Sequence, residues 1–300
     1  MRARYEVVPR RPFSLARTAA RLARFPELVD RFHEGKYQRL VSVNSVPVLM
    51  SVTQQGPASR ARLGVTLVGE RARVSEAKRE AGIVLDRVLG VSTDVRPFYR
   101  SFGNDPLLGP LIRKHSGLRI AGRVSVWETL IQIVLSQQIN LAFAHGILAD
   151  LVKSYGLRKR FDGETYYLPP TPRRIAKLSE ADLRGHRLSG SKARTLIGLA
   201  NAFEAGDISE AMFDTMDDEH AVEFLSSFKG IGRWTAEFTL LRGLSRLDVF
   251  PAGDLGVVKY LPQKLLGRDH AASEDEMREF AIRWRPFRGL ALIYAYAELG

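Results

Sequence analysis

The chain has no cysteine. That excludes disulfides, thiol catalysis, thiolate-held zinc and cysteine-ligated iron–sulfur clusters, and it suits a cytoplasmic location. Long apolar runs are also missing. The opening MRARYEVVPRRPF has no apolar core of the kind a signal peptide needs. No stretch approaches the roughly 18 apolar residues of a membrane span. Secretion by a cleaved signal and a membrane partner are therefore not expected. Six histidines are scattered without metal-ligand spacing, so no metal is expected, and no Ser/His/Asp arrangement is found. There is no internal repeat and no low-complexity tract.

What is present is core-forming sequence and positive charge. With 300 residues, 45% of them hydrophobic, one to three domains are expected. The net charge of +12 favours a polyanionic partner. Most of that excess lies in residues 1–100, with 19 Lys/Arg against 9 Asp/Glu. Residues 101–300 hold 26 against 24. In that second part basic residues gather from Arg173 to Arg194 and acidic ones from Glu204 to Glu223. One basic face and a set of solvated helix faces both fit, and charge does not choose between them.

Residues 1–105 read as an α+β N-terminal domain, a small antiparallel sheet with helices. Strands are expected at 5–8, 39–43, 48–52 and 62–68, with Asn44-Ser45 as a turn. Helices are expected at 14–25, capped by Ser14, and at 72–89. A Gly/Pro/Arg-rich stretch, 97–109, is the expected boundary. Residues 106–300 read as all-α, with helices at 125–136, 141–155, 172–178, 180–184, 190–205, 219–228, 233–244, 254–266, 273–284 and 287–299.

The most informative segment is Phe228-Lys229-Gly230-Ile231-Gly232-Arg233-Trp234-Thr235-Ala236. Apolar residues at helical spacing lie on both sides, at Val222, Leu225 and Phe228 and at Trp234, Phe238 and Leu241. The glycines make a tight turn in which positive φ is allowed and no Cβ blocks an approaching backbone. Ile231 is free to pin the turn to the core. A second helix starting near Gly232 would present unpartnered amides, which suit a phosphate. An ordinary helix corner with a glycine cap would use the same two glycines. Downstream come Pro251-Ala252-Gly253 and then Asp254, at the head of an apparent helix. There the helix dipole favours an ionised carboxylate, and a plain N-cap aspartate is equally at home.

The whole string, with its Gly/Pro loop and aspartate, resembles the helix-hairpin-helix of the base-excision DNA glycosylase superfamily. Val134-Leu135-Ser136-Gln137-Gln138-Ile139-Asn140, Leu188-Ser189-Gly190-Ser191-Lys192-Ala193 and Arg283-Trp284-Arg285-Pro286-Phe287-Arg288 point to its alkylbase branch, the 3-methyladenine DNA glycosylase II type. The resemblance covers nearly the whole chain. It implies an α+β N-terminal domain, an all-α glycosylase body and hydrolysis of the bond between an alkylated purine and its sugar. It makes Asp254 the catalytic carboxylate and Trp234, Phe238 and Phe287 the walls of the base pocket. Gly230, Ile231 and Gly232 become the DNA-gripping hairpin. Gln137 and Gln138 become an exposed DNA-contacting joint, with Gln138 filling the gap left by a flipped nucleotide.

Bifunctional relatives carry lysine two places after the second glycine, and this chain has Trp234. No strand-cleaving step is therefore expected. The implied partner is double-stranded DNA with damaged bases, handled by a nucleoid-associated monomer. No cofactor is implied beyond a monovalent cation on the hairpin carbonyls when DNA is bound. Two other readings stay open. One is the same chemistry on deaminated or oxidised bases. The other is a non-catalytic module that docks on DNA, in which the aromatics are core and Asp254 is a cap.

Overall fold

The computed structural model describes residues 1–23, 28–70 and 73–299. Five antiparallel strands, β1 (Arg2–Val7), β2 (Arg31–His33), β3 (Lys36–Val43), β4 (Val46–Gln55) and β5 (Arg62–Gly69), form one sheet in the order β1-β5-β4-β3-β2. β3 and β4 are joined by Asn44-Ser45, both at positive φ (49° and 66°), the twist that a two-residue hairpin needs. Leu63, Val65 and Leu67 alternate along β5 and bury one face against Ala77, Ala81, Val84 and Val88 of the helix Val74–Leu89. The first helix is short, Leu15–Ala19, capped by Ser14. The expected helix ends at Phe25 and Ala72 lie outside the described residues.

The sheet's other face is covered as well, which the sequence does not signal. Leu40 and Leu49 pack on Tyr166 of a second, two-stranded sheet, β6 (Leu157–Phe161) and β7 (Glu164–Leu168). This hairpin interrupts the region that reads as helical throughout. β6 is basic and half-exposed (Arg158, Lys159, Arg160) and β7 opens on Glu164-Thr165, so neither carries much of the apolar alternation that marks a strand.

The stretch 97–109 also differs from expectation. Arg96–Phe102 is a helix, with Pro97 in its first turn where proline is tolerated. A second helix, Leu108–Lys114, follows. Their buried Val95, Phe98, Phe102, Leu108 and Leu111 join a core with the C-terminal part of the chain, including Trp284, Leu290 and Tyr294. A second helical core is built within 126–249. The helices Val126–Ser136 and Arg233–Gly243 pack together and supply side chains to both cores: Ile133, Phe238 and Leu241 to the first, Val134, Ala236 and Leu240 to the second. The hairpin's second helix is therefore the partition of the body.

A buried polar network ties sheet to body. Asp30 accepts from Arg39 at 3.0 Å and from Arg123 at 3.2 Å, and Arg39 also donates to Glu128 at 2.6 Å on the helix Val126–Ser136. Burial alone would raise the Asp30 carboxyl, but the two guanidiniums hold it below its ordinary value.

Candidate active site

Asp254 stands at the head of a helical segment. Its backbone carbonyl accepts from Val258 at 2.9 Å, and its side chain caps the amide of Gly256 at 2.9 Å. The first turn, Gly256–Tyr260, is a π-helix and continues into the α-helix Leu261–Leu265, where the sequence predicts an unbroken helix. Asp254 is half-buried. Two further donors reach it. The Trp234 indole N–H donates to Oδ1 at 3.0 Å, and the Tyr296 hydroxyl donates to Oδ2. A carboxylate offers about four acceptor positions. One donor falls on Oδ1 and two on Oδ2, so the open position is on Oδ1. All three donors are neutral, which orients the negative charge without cancelling it. Burial, then the neighbouring Asp254 charge, push the Tyr296 phenol well above its ordinary value, so it stays a donor.

Sequence reasoning does not find Tyr296. Its only signal is a polar hydroxyl on an apolar helix, Arg288–Leu299. Trp234 is expected as a pocket wall, and its indole does more: it fixes the carboxylate and packs edge-on to Phe238, ring centroids 5.2 Å apart. Phe238 is 6% exposed and part of the first helical core. Phe287 is half-buried and meets Phe98 and Phe102 edge-on, at 5.9 and 6.5 Å. The three aromatics belong to one apolar cluster, but Phe287 touches the far helix Arg96–Phe102 rather than the Trp234–Phe238 pair. Asp248, the other carboxylate near the loop, is neutralised by Arg288, which donates through its backbone N–H and two side-chain nitrogens at 2.9–3.0 Å.

The two hairpin glycines are not equivalent. Gly230 has φ +88°, and a Cβ there would lie 2.0 Å from Thr195 Oγ1, so backbone and packing both demand glycine. Gly232 has φ −95°, which any residue adopts, and a Cβ would meet nothing within 4 Å. The expected positive φ therefore holds at the first glycine only, and the fold makes no demand for glycine at the second. Ile231 is 4% exposed and buried in the second helical core. The helix Arg233–Gly243 begins after Gly232 with no side-chain cap on its amides.

The joint 136–138 abuts this hairpin. Gln137, expected to be exposed, is half-buried because its amide donates to the Gly230 carbonyl at 3.0 Å and to Thr235 Oγ1 at 2.9 Å. Gln138 is exposed and left-handed, with φ +54°. The Lys192 ammonium donates to the carbonyls of Leu135 and Gln137 at 2.8 and 2.7 Å. It caps the helix Val126–Ser136 and braces the loop that carries Gln138. The hairpin carbonyls are oxygen donors of the kind a hard monovalent cation takes, and Gly230 would share its oxygen with the Gln137 amide. Among the described residues no cluster of His, Asp and Glu could hold a metal.

Residues 131–286 match the family model of the HhH-GPD superfamily base excision DNA repair proteins. The chain belongs to this superfamily. Among its relatives is a "DNA-3-methyladenine glycosylase" of Bacillus subtilis, 29% identical over 87% of this chain and 86% of that one. "DNA-3-methyladenine glycosylase 2" of Escherichia coli is 33% identical over 64% of each chain. Among solved structures, a 3-methyladenine DNA glycosylase from Archaeoglobus fulgidus superposes with a TM-score of 0.80 at 26% identity, covering 97% of both chains. The five-stranded sheet followed by a helical body is thus the fold of a base-excision glycosylase. No described helix is long and apolar enough to cross a membrane.

Proposed function

We propose that this HhH-GPD protein is a monofunctional glycosylase that hydrolyses the N-glycosidic bond of alkylated purines in duplex DNA. The observation that carries the reading is Asp254, a half-buried carboxylate held by three neutral donors with one position of Oδ1 open. Alkylation makes the purine a cationic leaving group. As the bond between C1′ and the ring nitrogen breaks, its electron pair returns to the base and positive charge grows on the sugar. The Asp254 carboxylate stabilises that charge. Water then adds at C1′ and gives up a proton, and the products are free base and an abasic site. Trp234 and Phe238 offer π faces that attract an electron-poor, cationic base, with Phe287 as the third expected wall.

Trp234 stands where an attacking amine would be needed for strand cleavage, so hydrolysis is the whole reaction. The hairpin holds the lesion strand by backbone amides, which contact phosphate without reading sequence. Gly232 supports this, since a bare Cα with open space before it lets a DNA backbone approach. Gln138 is the side chain that fills the vacated stack. The reading extends to a cytoplasmic, nucleoid-associated enzyme acting as a monomer, with the N-terminal sheet layer, which ends before the helix Arg96–Phe102, attached to the helical body.

The test is base release from duplexes that carry 3-methyladenine, uracil or 8-oxoguanine, with borohydride present in parallel reactions. Release of 3-methyladenine, an intact strand and no trapped protein–DNA adduct are expected. Release confined to uracil or 8-oxoguanine would move the substrate class, an adduct would overturn the monofunctional chemistry, and no release at all would favour a docking module.

A further inference from the structure

Five charged side chains run from the hairpin to the loop that carries Asp254, and the proposed chemistry uses none of them. Arg233, at the head of the hairpin's second helix, donates to Glu219 at 2.6 and 2.7 Å, and through Nε to Oε1 of Glu237 at 3.0 Å. Arg278, on the helix Glu274–Ala281, donates to the same Oε1 at 2.8 Å and to Glu274 at 2.7 Å. Glu274 ends the chain over Gly253, the neighbour of Asp254, where a Cβ would lie 2.7 Å from its Oε2. Glu237 is the one buried member, 2% exposed. Both guanidiniums converge on its Oε1, and its Oε2 is buried with no hydrogen-bond partner among the described residues. Burial raises the Glu237 carboxyl, and the two arginines oppose that rise. Apolar residues in place of such a pair often leave a fold no less stable, so stability is a weak reason for a charge here. A buried polar atom left unsatisfied calls for another reason.

We infer that Glu237 and Arg278 are a positioning pair, which fixes the helix that carries Trp234 against the loop that carries Asp254. The inference rests on the proposed role of Asp254. Trp234 lies three residues before Glu237 on one helix, and its indole meets Asp254 Oδ1 at 3.0 Å. That bond spans two elements, so its length depends on how they are held relative to each other. Arg278 holds both. It pairs with Glu237 on the helix of Trp234. On the loop side it approaches the Phe250 carbonyl at 3.5 Å and steadies Glu274 over Gly253. The start of its own helix is tied to the segment after Asp254, where the Ala272 amide donates to the Val258 carbonyl at 2.8 Å. The Gly256 amide that caps Asp254 lies within that segment. One buried oxygen, Glu237 Oε1, thus joins the two sides of the carboxylate's setting. A misplacement of about 1 Å costs roughly 100-fold in rate, so this spacing matters to the chemistry more than to the fold.

The experiment compares Glu237→Gln, Arg278→Met and Glu274→Gln, each made in the wild-type protein and in Asp254→Asn. Measured for each are single-turnover excision of an alkylated purine at saturating protein and anisotropy binding to a duplex with a tetrahydrofuran abasic-site analogue. A melting curve and hydrogen exchange of the amides 253–258 complete the set. Glu237→Gln and Arg278→Met should slow excision about tenfold, the effect of a fraction of an ångström, with duplex binding unchanged and exchange at 253–258 faster. The Glu274 side chain is 47% exposed, so Glu274→Gln carries the test if the buried variants fold poorly. It should give the same pattern at about threefold, in line with an exposed ion pair. In Asp254→Asn the added losses should vanish, because the pair acts only through the carboxylate. Equal fractional losses in both backgrounds, a loss of binding in place of excision, or unchanged exchange would overturn the inference. If the wild type releases no alkylated purine, faster exchange keeps the positioning pair and discards the proposed chemistry.

Discussion

Asp30 and Asp254 are both held by three side-chain or backbone groups, and they serve opposite ends. Asp30 is 1% exposed and surrounded by Arg39, Arg123 and the Tyr37 hydroxyl, so its charge is spent inside the protein. Asp254 is half-buried and held by an indole N–H, a phenol and a backbone amide, so its charge is oriented but uncompensated. Asp248 sides with Asp30, because Arg288 neutralises it. The kind of donor, more than the number of hydrogen bonds, separates a carboxylate that holds the fold from one that is available to a cationic transition state.

The comparison can be broken most severely at Asp30. Asp30→Ala leaves Arg39 and Arg123 buried beside a missing partner. Removing one member of a buried pair costs about 3–5 kcal/mol, so a loss of that order in denaturant unfolding is expected. An unchanged midpoint would show that the network does not weld sheet to body.

Asp254→Asn should do the reverse. Asparagine keeps an oxygen for the Gly256 cap and gives up only the acceptor for the Trp234 indole, so the melting curve should move far less than for Asp30→Ala. Excision of an alkylated purine should fall roughly 100- to 1,000-fold in single turnover, the loss expected for one electrostatic contact to the transition state. DNA affinity should hold or rise. Near wild-type excision would end the assignment of Asp254.

A smaller effect is expected of Tyr296→Phe, which deletes one donor and keeps the ring. Excision should fall about tenfold, in line with one charged hydrogen bond of roughly 1.5 kcal/mol, while binding to an abasic duplex stays as in wild type. A loss of binding without a loss in the chemical step would make Tyr296 a packing residue only. At the hairpin, Gly232→Ala should leave stability unchanged and weaken binding to all duplexes alike, whereas Gly230→Ala should destabilise through its positive φ and its clash with Thr195.

The same contrast has a pH signature. Asp30 is depressed below the ordinary aspartate value of 3.8. Its contribution to stability is therefore complete above that value and is lost as pH falls through the lower folded value. Acid unfolding of wild type should steepen below about pH 4, and Asp30→Asn should flatten that limb. Equal limbs in both proteins would remove Asp30 from the acid response.

Much of this is legible from spacing. The Gly230–Gly232 turn, the buried Ile231 and the helices Val126–Ser136, Leu141–Tyr155 and Gly190–Ala205 stand where periodicity and caps put them. These features are local, set by backbone freedom at glycine, by side-chain caps at helix starts and by apolar period. The basic strand β6 with its partner β7, and the helix over Arg96–Phe102, escape such a reading for the matching reason. Their apolar signal is weak or broken by proline, and they are held by partners far along the chain, Tyr166 by Leu40 and Leu49, Phe98 by Tyr294.

By itself, then, the sequence determined an α+β layer ahead of a helical body, a glycine hairpin and an aspartate at a helix head, because each depends on residues close together in the chain. Only tertiary structure decided which carboxylate keeps its charge available. The donors that settle it come from 20 residues before Asp254, at Trp234, and 42 after, at Tyr296, while Asp248 finds its guanidinium 40 residues away. Such pairings depend on how helices cross in the folded body, and no pattern of neighbouring residues encodes them.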